Sequence, residues 1–331
     1  MRDNFKSSFG VLVAMAGSAI GLGNLWRFPY LMGTNGGAAF IIIYLILVFL
    51  LCLPIMMSEF VVGRRSQVNA FRAFKVLSPK GHWGIIGMLG VLAAISLIAF
   101  YCVVGGWTID YLVHSVTFSL PEEGATEGFF SAAVSTPGRT LIYTYIFLIV
   151  TALVLLAGIK DGIERYTKVM MPVLFLTIIA IAVRSVTLPG AGAGLEFLFK
   201  PDFSKVTADT FLNALGQAFF SLSIGCATIL TYGSYVKKNE KIVKMSSLTA
   251  ISDTFFAIIA GLAIMPAVFA FGISPSEGPG LLFVVLPDIF DQIAGGGIIA
   301  ILFFFVLFIA AVTSSISLLE VCVTFLIEEC R

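Results

Sequence analysis

Two acidic side chains stand in stretches otherwise too apolar to hold them. Asp253 lies within the run from Ser246 to Ile273, and Glu59 follows the run Ala38 to Met57, "AAFIIIYLILVFLLCLPIMM". An ionisable group within a membrane span costs about 3 kcal/mol at the helix centre on insertion scales, so each marks a functional site by default. The plainer alternative for Asp253 is a residue capping its helix from the cytoplasmic boundary, and Glu59 is assigned a structural role. Hydroxyls occur in comparable surroundings at Ser221, Ser223, Thr313 and Ser314, none with a histidine nearby. No span pairs a nucleophile with a base, His82 and His114 lie far apart, and no His–Glu metal motif occurs. Covalent catalysis and soft-metal chemistry are therefore poorly served, and no enzyme is expected.

Backbone chemistry is the better-supported reading. In "GSAIGLGNLWRFP", Gly17 to Pro29, glycines at 17, 21 and 23 share an apolar stretch with Asn24, Arg27 and Pro29. Unwound backbone in a bilayer is tolerated only where protein or a water-filled cavity satisfies it. Gly17 and Gly21 alone would fit close helix packing equally well. A second interrupted segment, "GQAFFSLSIGCATILTYGSY", places Ser221, Ser223 and Gly225 midway along another apolar run. Paired interruptions in two halves of a chain point to a binding site at the bilayer midplane. Half-helix N-termini would offer N–H groups to an anion, and freed carbonyls would face a cation. A zwitterion with a small cation fits that geometry.

The elements that must position these groups are transmembrane helices. The chain has 331 residues, 59% hydrophobic and 12% charged, with a mean hydropathy of +1.02, outside the range of ordinary soluble domains. Apolar runs near residues 9–32, 38–57, 84–113, 140–158, 166–185, 206–235, 246–273 and 297–326 are long enough to cross a bilayer, which needs about 20 residues. The expectation is an all-α polytopic membrane protein with eight spans and a single transmembrane domain, 1–331, without a cleavable signal peptide. The interrupted segments fall in the first and sixth spans. That odd offset makes an inverted repeat, 1–185 against 206–331, with helices 1 and 6 discontinuous.

Basic residues orient the chain. Arg2 and Lys6, then Arg64, Arg65, Arg72, Lys75 and Lys80, then Lys160, Arg165 and Lys168, then Lys237, Lys238, Lys241 and Lys244 fall on one side. The loop near 116–138 instead holds Glu122, Glu123 and Glu127. Positive loops stay inside, which puts both termini in the cytoplasm and the protein in the cell membrane. The net charge of +1 carries no nucleic-acid signal. Cys52, Cys102, Cys226, Cys322 and Cys330 lack metal-type spacing and read as small apolar residues. Between Arg64 and Gly84 a short amphipathic helix is expected, with Phe71, Phe74 and Val76 toward lipid. The outer segment Gly272 to Gly297 reads as a re-entrant or surface helix.

The motifs "AMAGSAIGLGNLWRFPYLMGTNGGAAF", "GQAFFSLSIGCATILTYGSY" and "AAVTSSISLLE" closely resemble those of the neurotransmitter:sodium symporters, in particular their bacterial amino-acid transporters, over essentially the whole chain. The resemblance implies sodium-coupled symport of a hydrophobic L-amino acid by alternating access, with two sodium ions and no organic cofactor. It implies a substrate carboxylate on the N–H groups of Leu22 and Gly23 with the Tyr101 hydroxyl, and an ammonium near the carbonyls of Ala19 and of Phe220 to Ser221. One sodium would be held by Ala19, Asn24, Ser221 and Asp253 with that carboxylate. A second would lie among Gly17, Ile20, Ala310, Thr313 and Ser314.

The substrate side chain would meet Leu97, Tyr101, Phe220, Ser223, Cys226, Ser314 and Leu318. Gly21 stands where amine-carrying relatives have an aspartate, which argues against monoamines. An ionised Asp253 would supply the charge that other relatives draw from chloride, so chloride-independence is expected. Phe220, Arg27 and Gln217 would gate the outside; Arg2, Phe5, Ser234, Tyr235 and Glu328 the inside. Members of this family usually have eleven or twelve spans, so the second repeat reads as incomplete. A truncated or non-transporting amino-acid binder or sensor, needing further helices or an oligomer partner, is the alternative. The outer segment would be a hairpin capping the vestibule.

Overall fold

A computed structural model describes residues 5, 7–273 and 280–329. Among these, regular structure is entirely helical. The chain opens with α1 (Ser8–Ala19) and α2 (Gly23–Thr34), bent 49° from one another. The long helices α3 (Ala38–Ser66), α5 (Gly84–Val116), α7 (Pro137–Leu156) and α8 (Ile159–Val186) follow, with the short α4 (Ala70–Leu77) and α6 (Thr126–Ser135) between them. After α9 (Gly192–Phe199) come α10 (Ala208–Ser221), α11 (Thr228–Gly233), α12 (Ile242–Ala270), α13 (Leu286–Gln292) and α14 (Gly296–Glu329).

Among the described residues six helices, α3, α5, α7, α8, α12 and α14, are long and apolar enough to cross a membrane, and the bent pair α1–α2 makes a seventh if taken as one span. This departs from the eight spans expected, because the run 206–235 is divided. Residues 222–227 are non-helical and leave α10 with 14 residues and α11 with 6, neither sufficient alone.

Burial separates a central layer from a peripheral one. In α12 and α14, 72% and 61% of the apolar window is buried, against 11% in α7, so α12 and α14 form the middle of the bundle. α5 packs most extensively on α14, and α8 on α12. Small residues permit close approaches between other helix pairs, as expected where apolar burial does not distinguish helix from lipid. A Cβ on Gly63 of α3 would overlap the Leu230 carbonyl of α11, and one on Gly105 of α5 would overlap the Phe147 ring of α7. Leu50, Leu156 and Leu176 remain exposed on outer faces, the surface a bilayer would cover.

The short helix expected between Arg64 and Gly84 forms as α4, with the Asn69 side chain accepting the Arg72 N–H at 3.0 Å as its N-cap. Its orientation corrects the expectation for two of three residues. Phe71 meets Phe325 edge-on at 6.2 Å and Phe74 packs against the core, leaving Val76 exposed. The reason is that α4 lies on α5 and α3, which offer an apolar surface of their own.

In the outer segment, residues 274–279 lie outside the described residues. Beyond them, the π-helical turn Leu281–Val285 leads into α13, and the two bury Leu282, Phe283 and Phe290. Phe283 stacks on Phe130 at 5.6 Å, and its carbonyl accepts the buried Tyr111 hydroxyl at 2.8 Å.

Candidate functional site

Two interruptions meet in the middle of the bundle. In the first, α1 closes when the Ile20 N–H donates to the Ala16 carbonyl at 2.7 Å, after which Ile20 turns extended. Asn24 knots the break: its Oδ1 accepts the Gly21 N–H at 3.1 Å, and its own N–H donates to the Gly21 carbonyl at 3.1 Å. The Ser18 carbonyl accepts two side-chain hydroxyls, Ser223 and Ser314, each at 3.2 Å. Backbone freed by the break is thus satisfied by protein, as a low-dielectric setting demands. Gly21 and Gly23 are constrained sterically. A Cβ on Gly21 would collide with the Ser314 hydroxyl and stand 3.5 Å from the Tyr101 hydroxyl, and a Cβ on Gly23 would come within 2.8 Å of the Phe220 ring.

The second interruption is conformationally strained. Ser223 (φ 55°), Gly225 (φ 84°) and Ala227 (φ 61°) all adopt positive φ within six residues. For a non-glycine residue this is uncommon, and such strain gathers at binding sites. Glu59 holds the stretch from α3, its Oε1 accepting the Gly225 N–H at 2.8 Å.

Between the interruptions lies a buried polar cluster centred on Asp253 of α12. Its carboxylate accepts Asn24 Nδ2 at 2.8 Å, the Ser221 hydroxyl at 2.8 and 2.9 Å, and the Tyr44 hydroxyl at 3.3 Å. Asn24, Asp253 and Tyr44 are each 0% exposed and Ser221 2%. This arrangement joins α2, α3, α10 and α12 through one acid. Asn24, Ser221 and Asp253, expected in one site, are brought together here; Ala19, the fourth residue expected with them, is the buried last residue of α1. Tyr44 was missed, although it and Cys52 are the only polar side chains in the quoted run Ala38 to Met57, and a buried phenol needs a partner. Asp253, Ser221 and Tyr44 present oxygen here, the donor type a hard cation takes, while Asn24 turns its Nδ2 to the carboxylate and its Oδ1 to the Gly21 N–H.

Elsewhere along the first interruption, Thr313 of α14 donates at 3.0 Å to the Ala310 carbonyl and at 3.5 Å to the Ile20 carbonyl. A Cβ on Gly17 would stand 3.6 Å from Thr313 Cβ. Gly17, Ile20, Ala310 and Thr313 therefore converge, whereas the Ser314 hydroxyl turns to Ser18. Next to this lies a cavity of about 310 Å³, lined by Leu97, Tyr101, Phe220, Ser223, Cys226, Ser314 and Leu318 together with Ala93, Phe219, Ile224 and Gly225. All seven residues expected to meet a substrate side chain thus face one space. The cavity is mainly apolar with a few polar atoms, the usual character of a small-molecule site.

Above the cavity, Arg27 lies 5.6 Å over the Phe220 ring and donates to Gln217 Oε1 at 3.4 Å, while Gln217 Nε2 donates to the Gly23 carbonyl at 2.9 Å. Among the described residues no carboxylate forms an ion pair with Arg27. At the other end, Phe5 packs edge-on against Tyr232 and Tyr235 at 6.0 and 6.5 Å. The Tyr235 hydroxyl bonds Glu320 and, at 2.9 Å, Thr324. Ser234 donates within its own turn to the Thr231 carbonyl. Glu328 accepts the Asn69 N–H at 2.8 Å and Asn69 Nδ2 at 3.0 Å. Arg2, its expected partner, lies outside the described residues.

An apolar helical bundle with two interrupted segments around buried oxygens has the features of a membrane transport protein. The chain belongs to the sodium:neurotransmitter symporter family, whose model matches residues 2–136 and 129–331. It is 42% identical over 321 residues to YhdH, an uncharacterized sodium-dependent transporter of Bacillus subtilis, covering 96% of this chain and 71% of the relative. An uncharacterized sodium-dependent transporter of Haemophilus influenzae is 39% identical over 342 residues, covering 100% of this chain and 75% of that one. Among solved structures, MhsT in complex with L-phenylalanine matches with a TM-score of 0.94 and 45% identity, over 100% of this chain and 76% of that one.

Proposed function

We propose that this protein carries a hydrophobic L-amino acid together with sodium across the cell membrane, independently of chloride, by alternating access around the two interruptions. The observation that carries the reading is the cavity lined by all seven expected pocket residues, among them Phe220, the neighbour in sequence of the Ser221 that donates to Asp253. That MhsT is the similar protein solved with L-phenylalanine supports an amino acid as the occupant. Leu97, Leu318 and the Phe220 ring supply apolar contact for its side chain, and Tyr101 a hydroxyl near Gly21. The substrate carboxylate would be received by the N–H groups of Leu22 and Gly23, and its ammonium by the carbonyls of Ala19, Phe220 and Ser221.

One sodium is assigned to Ala19, Asn24, Ser221 and Asp253. It shares the substrate carboxylate, and that shared ligand couples the two bindings. Asp253 supplies a fixed negative charge there, so no chloride is needed. The second sodium is assigned to Gly17, Ile20, Ala310, Thr313 and Ser314. Phe220, Arg27 and Gln217 form the outer gate; Arg2, Phe5, Ser234, Tyr235 and Glu328 the inner one. In this reading α1–α2 and α10–α11 are each one broken span, which makes eight spans, arranged as the inverted repeat 1–185 and 206–331 with both termini cytoplasmic.

Uptake of radiolabelled L-phenylalanine into proteoliposomes tests the proposal. A sodium gradient should drive saturable accumulation that a potassium gradient does not, unchanged when chloride is replaced by gluconate. Accumulation that stops without chloride would overturn the role given to Asp253, and saturable binding without accumulation would reduce the protein to a binder.

A further inference from the structure

A second cavity, of about 490 Å³, opens between the first turns of α1 and the start of α12. Its walls change character with depth. Lys241, the N-cap residue of α12, and Lys244 in its first turn lead to Leu248, at spacings of three and four residues. On α1, Phe9 and Leu12 repeat the same spacing opposite them. A cationic mouth therefore continues into an apolar trough within one or two helical turns, about 5–10 Å. Phe9 is 59% exposed, and both lysines are exposed. The connecting segment is anchored: Arg64 donates to the Glu240 carbonyl at 2.7 Å, and the Ser8 hydroxyl donates to Glu240 Oε1 at 2.7 Å. Glu240 is the acid at this mouth, and its engagement by Ser8 holds it against α1. Lys237 and Lys238 immediately precede the groove.

We infer that this groove binds one anionic glycerophospholipid, with its phosphate between Lys241 and Lys244 and an acyl chain along Phe9, Leu12 and Leu248. The argument is charge complementarity joined to depth: a soluble anion would use the lysines and ignore the apolar trough, and a neutral lipid would use the trough and ignore the lysines. Basic residues just inside a cytoplasmic boundary attract anionic headgroups. The inference rests on the membrane orientation proposed above, but it requires neither sodium nor substrate, so failure of transport and failure of lipid retention are read separately.

Native mass spectrometry of the purified chain tests it, with palmitoyl-oleoyl phosphatidylglycerol, the matching phosphatidylcholine, or glycerol phosphate added. The expected result is one retained phosphatidylglycerol that phosphatidylcholine does not replace and glycerol phosphate does not displace. The double variant Lys241→Gln/Lys244→Gln should weaken that retention about 30-fold. Lys237→Gln/Lys238→Gln, an equal loss of charge beside the groove, should leave most of it, and Phe9→Ser should weaken it through the chain contact alone. Equal retention of phosphatidylcholine, unaltered retention by Lys241→Gln/Lys244→Gln, or displacement by glycerol phosphate would each overturn the assignment.

Discussion

Asp253 is the acid at the centre of the buried polar cluster. Three donors, from Asn24, Ser221 and Tyr44, converge on its carboxylate with no exposure to water. Leaving a buried donor unsatisfied costs about 1–3 kcal/mol, so Asp253→Ala, which orphans all three, should lower thermal stability as well as abolish sodium-dependent binding. Asp253→Asn keeps the shape and one acceptor oxygen while removing the charge. It should hold the melting temperature closer to that of the parent and weaken sodium affinity roughly tenfold or more, read from a sodium titration of substrate binding. Equal sodium affinity in parent and Asp253→Asn would mean that the acid serves only to tie helices together. The nature of this residue was readable in sequence, because an acid in an apolar run is conspicuous. Its partner Tyr44 was not read, since a tyrosine blends into an aromatic-rich chain until its hydroxyl is seen to need an acceptor.

The interrupted elements carry the second lesson. α1 ends at Ala19 and α10 at Ser221, both within the glycine- and serine-bearing motifs singled out in the sequence. What periodicity could not supply is how the loose backbone is held: by Ser314 and Ser223 reaching the Ser18 carbonyl, and by Glu59 reaching across from α3 to Gly225. These are contacts over long sequence separations, which no local pattern encodes. The same limit misplaced Phe71, whose amphipathic spacing was legible while the Phe325 ring that covers it was not. Glu59→Gln preserves an acceptor for the Gly225 N–H and should leave substrate affinity within about twofold of the parent. Glu59→Leu removes that acceptor at a cost of about 1–3 kcal/mol and should weaken binding measurably in equilibrium dialysis. Identical affinities in the two variants would show that the brace does not support the site.

At the scale of the whole molecule, the central and peripheral helices have different tasks. α12 and α14 are largely enclosed, and with the interrupted segments they supply Asp253, Thr313, Ser314 and Leu318. α7, mostly bare, presents Leu153 and Leu156 to the surroundings and lends no side chain to the cavity. A binding core of this kind is held by helix packing on both sides of the breaks, so substrate and ion should stabilise one another through the shared centre. The most direct measurement is equilibrium binding of radiolabelled L-phenylalanine to the purified, monodisperse 331-residue protein, in sodium and then in potassium. The account predicts saturable binding in sodium, competed by unlabelled L-leucine and absent in potassium. Binding of equal strength in both salts, or none in sodium by a folded sample, would contradict it.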